Sequence, residues 1–146
     1  MVLMMPKVTL VLAALCALTN LWLSMRVGQV RREEGVSVGD GGNDRVIRRM
    51  RAHANFAENA PLVLVLELAI ELSVGQSAWL WGAAALFVLA RIGHGLGMDG
   101  WYPGRAAGTG ITFALELALA VWALALPFTA DGVRDAPTVQ TEVPQG

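Results

Sequence analysis

Three polar stripes in this chain of 146 residues carry residue types whose spacing could do chemistry. In the first, Arg48, Arg51, Asn55 and Glu58 are spaced i, i+3, i+7, i+10, and Asn59 extends the run. On a helix these four fall within an arc of about 80°. A guanidinium, an amide and a carboxylate on one face suit a zwitterion. Arg51 would take a carboxylate, Glu58 an ammonium and Asn55 a peptide group. The same stripe also fits a solvated face with helix–helix ion pairs at a bilayer edge. The second stripe is Arg91, His94 and Met98, in which His94 is either a ligand contact or a hydrogen-bonded interfacial histidine. The third is Arg105, Thr109, Thr112 and Glu116, with Arg105 at the entrance and the carboxylate deeper. Glu67 and Glu71 point roughly 100–140° away from the Arg51 stripe. Structural pairing is the expectation for Glu67, Glu71 and Glu116, because an unpaired carboxylate in a membrane is costly. No metal site is expected, since His53 and His94 come with no cysteine partner and no His-x₃-His spacing. Gly93-x-Gly95-x-Gly97 ends an apolar helix, so it reads as a close-packing device and not as a dinucleotide fingerprint.

The elements that must position these stripes are membrane helices. Hydrophobic residues make up 55% of the chain against 16% charged, and the charge is segregated into a few segments. Soluble domains carry about 25% charged residues. A net charge of −1 and one cysteine, Cys16, argue against a polyanion binder and a disulfide scaffold. The pattern predicts an all-α membrane protein, a four-transmembrane-helix bundle over residues 1–128. Its helices are expected at about 3–27, 44–74, 77–98 and 105–128. A polar, proline-containing tail, 129–146, reads as disordered.

Local signals set the boundaries. Residues 29–43, with Gly39-Asp40-Gly41-Gly42, read as a loop, and Asp44 as the cap of the second helix. That helix is polar in its first half and apolar from Ala60 to Val74, with Pro61 expected to kink it at the junction. Gly75-Gln76-Ser77 is a tight turn, and Asp99–Gly104 an interfacial loop in which Trp101 and Tyr102 suit the headgroup level. Nine basic residues, seven of them between Arg26 and Arg51, lie on one side of the expected bundle. Lys7 and Arg134 lie on the other. The positive-inside rule then places loops 1 and 3 in the cytoplasm and both termini outside, in the periplasm if the membrane is a bacterial inner one.

The run Arg48-Arg49-Met50-Arg51-Ala52-His53-Ala54-Asn55-Phe56-Ala57-Glu58-Asn59-Ala60-Pro61 resembles the second-helix signature of the MAPEG superfamily, the membrane-associated proteins of eicosanoid and glutathione metabolism. Arg91-x-x-His94 and Arg105 at the start of the fourth helix fit the same pattern. The glycine loop and the Ala52–Glu58 string look closest to its bacterial branch. The resemblance covers about residues 3–128 and implies a homotrimer with glutathione held between subunits near the cytoplasmic face. Residue by residue, it implies glutathione contacts at Arg51, Asn55 and Glu58, at Arg91 and His94, and at Arg31 or Arg32. Arg105 matches the arginine credited with stabilising the glutathione thiolate.

Three departures accompany the match. Ala54 stands where some animal members have an arginine, Met98 where several place a tyrosine, and Ala106 where the prostaglandin E synthase has a serine. The expected function is a membrane-bound glutathione transferase or peroxidase acting on hydrophobic electrophiles or lipid hydroperoxides. The alternative is a non-catalytic lipid-binding or scaffold trimer, as the five-lipoxygenase-activating protein shows for this fold. Nucleic acid is not an expected partner.

Overall fold

The computed structural model describes residues 5–129, and all its regular structure is helical. Helix α1 runs Lys7–Glu33, α2 Asp44–Val74, α3 Ala78–Gly97 and α4 Tyr102–Ala125, followed by a 3₁₀ turn, Leu126–Phe128. The tail expected to be disordered lies, apart from Thr129, outside the described residues.

The first helix is longer than expected, ending at Glu33 and not near residue 27. Hydropathy marks where a bilayer would end, but Arg31, Arg32 and Glu33 are good helix formers that carry the helix on. Arg31 and Arg32 in its last turn complement the dipole. Gly35, at φ 69°, lies just beyond it in a left-handed conformation that residues with a Cβ seldom adopt. The cap of α2 is Asn43, not Asp44. Asn43 Oδ1 accepts from the amides of Arg45 (2.9 Å) and Val46 (3.2 Å), which leaves Asp44 as the acid of the first turn. Arg45 reaches back to Glu33 and Glu34, which hold its guanidinium above the usual arginine range, chiefly through the Glu34 hydrogen bond. The turn 75–77 is as expected: Gly75 is at φ 82° and Ser77 Oγ accepts from the amide of Leu80. The loop before α4 is shorter than expected, because the helix starts at Tyr102 with Pro103 in its first turn, where a missing amide hydrogen costs nothing.

Three helices are long and apolar enough to cross a membrane by themselves: α1, α3, and α4 with its 3₁₀ turn. The second helix, expected as a fourth span, is not, because its charged first half and its glutamates break the apolar run. It runs through Pro61 as one helix, packed against the other three. Leu12, Leu23, Phe56, Val63, Ile70, Leu80 and Phe87 fill the core between them. Leu10, Leu18, Leu21, Val65, Leu89, Leu117, Val121 and Leu124 point outward. Apolar residues inside and out are what a hydrocarbon solvent permits and water does not.

Glycines set the distance between α3 and α4. A Cβ on Gly97 would land on the backbone nitrogen of Arg105, and one on Gly108 would sit 2.5 Å from the Ala90 carbonyl oxygen. One on Gly95 would press 3.0 Å from Trp22 and Leu23 of α1. The expected close-packing role of this glycine run is what the structure shows.

Candidate functional site

The charged end of the bundle, where the α1–α2 and α3–α4 loops lie, is braced by an arginine–aspartate cluster. Asp99 accepts from Arg26 and from Arg49, and Arg26 also donates to the Gly95 carbonyl at 2.8 Å. Arg49 donates to the Arg26 carbonyl at 3.1 Å. Three helices and a loop are thus tied at one point. The sequence marked Asp99 only as a loop residue, since its partners lie 50 and 73 positions away.

Within this frame the three stripes meet at α3. Arg91, 1% exposed, donates from Nη2 to Asn55 Oδ1 at 2.8 Å and from Nη1 to Thr112 Oγ1 at 3.1 Å. Thr112 passes its own proton to the Gly108 carbonyl at 2.8 Å, and Asn59 Nδ2 donates to the Asn55 carbonyl at 2.6 Å. A guanidinium cannot shed its proton inside a protein, so burying it demands acceptors. Asn55 and Thr112 supply them to the two terminal nitrogens, while Nε is enclosed without a partner. One turn nearer the charged end, His94 is buried with Nδ1 3.1 Å from Thr109 Oγ1 and 3.4 Å from the Arg105 carbonyl. Thr109 in turn donates to that carbonyl at 3.0 Å. Asn55, Arg91 and His94 therefore belong to one polar layer. Thr112 and Thr109 complete it, in bonding roles that their place in a stripe did not specify.

The remaining candidates stand apart from this layer. Arg51, Glu58 and Arg105 are exposed on the protomer, and among the described residues their side chains take no hydrogen bond or ion pair. Arg31 is half-buried and lies across the bundle in a groove with Ser24, Gly28, Met50 and His53. It donates to the Met50 sulfur at 3.5 Å, and its Nε is enclosed without a partner. Met98 is largely buried, at a small polar pocket with Arg45, Arg48, Arg49 and Asp99.

The three glutamates divide. Glu71 is paired as expected, though by backbone. Its oxygens accept from the amides of Val8 (2.9 Å) and Thr9 (2.8 Å) and from the Thr9 hydroxyl (2.8 Å). It thereby caps the positive end of α1. Glu67 is fully buried with neither oxygen bonded, and Glu116 is half-buried with no bond among the described residues, so pairing fails for both. No group of three His, Cys, Asp or Glu side chains among the described residues has a geometry that could hold a metal.

A search of curated proteins finds no match to the chain. A family model does match: the MAPEG family, over residues 9–125, which takes in all three stripes and the helices that carry them. The chain is a member of the MAPEG family.

Proposed function

We propose that this protein is a glutathione-dependent transferase or peroxidase of the membrane, acting on hydrophobic electrophiles or lipid hydroperoxides. The observation that carries the reading is the set of polar side chains left free beside the buried Asn55–Arg91–Thr112 chain. Arg51 and Glu58 on α2 and Arg105 on α4 lie exposed, with no partner among the described residues. Charge left unpaired at a membrane is unfavourable unless something meets it. A homotrimer that brings Arg31 of one protomer toward Arg51 and Glu58 of the next would supply that meeting place. Glutathione has the matching groups: two carboxylates for guanidiniums, an ammonium for Glu58 and a thiol for Arg105. The hydrophobic co-substrate would reach the same seam from the bilayer, so orientation comes from binding alone. The orientation proposed is loops 1 and 3 in the cytoplasm of a bacterial inner membrane, where glutathione is available.

Calorimetry on the detergent-purified protein tests the reading. Glutathione should bind, and Arg51→Ala and Glu58→Ala should each weaken it by more than about tenfold, since a charge-assisted hydrogen bond contributes roughly 1.5–3 kcal/mol. Absence of heat with wild-type protein would reject it. The second reading, a lipid-binding trimer without chemistry, draws on an apolar groove of about 630 Å³ between α3 and α4, lined by Trp79, Gly82, Leu86, Leu115 and Trp122. It requires that glutathione not bind.

A further inference from the structure

The hydrogen bonds around His94 determine which of its ring nitrogens can do chemistry. Nδ1 faces two oxygens, the Thr109 hydroxyl at 3.1 Å and the Arg105 carbonyl at 3.4 Å. The carbonyl can only accept. Thr109 has one proton, and the same carbonyl, 3.0 Å away, takes it in the i−4 back-bond of a helical threonine. The one arrangement that leaves no two acceptors facing each other puts the hydrogen on Nδ1, donated to Thr109. Neutral His94 is then the Nδ1–H tautomer, and Nε2 keeps its lone pair. Nε2 takes no bond from any described residue, yet it is not among the polar atoms enclosed without a partner, so it reaches the protomer surface. The charged groups beside it are Arg91 on its own helix and Arg105 on α4, both cations. Gly108 makes the arrangement possible, because a Cβ there would meet His94 Cβ at 2.7 Å and push the ring off α4.

We infer that His94 is the proton acceptor for the co-substrate thiol, through Nε2, and that Thr109 is the positioning residue that sets its tautomer. This deepens the glutathione reading and rests on it. The thiol S–H bond breaks, its proton goes to Nε2, and the sulfur keeps the electron pair as thiolate. Arg105 supplies positive charge beside that sulfur but, as a guanidinium, has no lone pair to receive the proton. The thiolate then forms a bond to the electrophilic carbon of the acceptor. The imidazolium returns its proton to the anion released or formed there, and neutral His94 is restored. No oxidant or reductant is consumed.

The test separates binding from proton removal. Glutathione affinity is measured by calorimetry, and thiolate formation by ultraviolet absorbance in stopped flow, on the purified full-length protein. His94→Asn keeps a donor near the Nδ1 position but has no Nε2. At saturating glutathione it should form thiolate about 10²–10⁴-fold more slowly and recover with added imidazole. Thr109→Val should show a smaller loss, about tenfold, while Thr109→Ser, which keeps the hydroxyl, should behave as wild type. Normal affinity with a wild-type rate of thiolate formation in His94→Asn overturns the role of His94 and leaves the transferase reading standing. Failure of the wild-type protein to bind glutathione overturns that reading, and this one falls with it. Should His94→Asn not fold, equal rates for the valine and serine variants at Thr109 overturn the assignment.

Discussion

At one end of the α3–α4 seam, Gly93, Gly97, Gly104 and Gly108 bring two backbones together, while at the other Gly82 faces open space beside a groove of about 630 Å³. Both ends carry glycine on α3, so the presence of glycine alone does not distinguish them. What differs is the material opposite. Gly97 and Gly108 meet backbone atoms of Arg105 and Ala90, which cannot rotate away. Gly82 has nothing within 4 Å, and its neighbours across the groove are Leu115, Ala118 and Leu119. The closed end holds the polar layer of Arg91, Thr112, His94 and Thr109, where close backbones let short hydroxyls reach across. The open end holds only apolar side chains, which lipid can solvate without any such contact.

Substitutions at the two ends should therefore have opposite signs. Gly97→Val is expected to have the largest effect, because a branched side chain placed on the Arg105 backbone forces the helices apart. Overpacking costs typically 1–3 kcal/mol and more against backbone. Loss of folded protein in detergent, measured by circular dichroism on heating, checks it; a normally stable Gly97→Val protein would refute the close approach. Glu71→Leu comes next. It strips the Val8 and Thr9 amides of their acceptor in a water-poor setting, and about 1–3 kcal/mol per buried unsatisfied group is expected to be lost. Arg91→Lys should cost about 2 kcal/mol, since an ammonium cannot fork between Asn55 and Thr112 as the guanidinium does. Unfolding in graded detergent, with Asn55→Ala and Thr112→Ala for double-mutant cycles, would show whether both bonds are lost. The smallest effect is expected at the open end. Gly82→Ala should stabilise the protein by about 0.5–1 kcal/mol through helix propensity alone. A destabilised Gly82→Ala protein would mean that the groove is closed against a neighbour in the membrane.

Much of the frame is legible in the sequence because it rests on local signals. The extent of α2 follows from the Gly-rich loop before it and from Gly75 after it. The turn at Ser77 and the packing role of the glycine run needed only neighbours in the chain and one general rule about small residues. The points at which the structure departs from the sequence pattern share a cause. Hydropathy located a bilayer boundary near residue 27, but the backbone hydrogen bonds of α1 continue to Glu33, since charged residues favour helix as readily as apolar ones. Asp44 and Asn43 are both good caps, and only the backbone path into the helix selects between them. Asn55 and His94 could be picked out by type and spacing, whereas the partners that give them roles lie on other helices.

The residue sequence by itself determined that this chain forms long apolar helices with three polar stripes, and that its charge gathers at one end, because periodicity and hydrophobicity are properties of neighbouring residues. The tertiary structure alone decided which buried charges are met. Glu71 finds the first amides of α1, 62 and 63 positions away, while Glu67, one turn earlier on the same helix, finds nothing. Arg91 finds Asn55 and Thr112 at separations of 36 and 21 residues. Hydrogen bonds act over about 3 Å, so their pairing depends on how helices dock, and no local pattern in the chain encodes that distance.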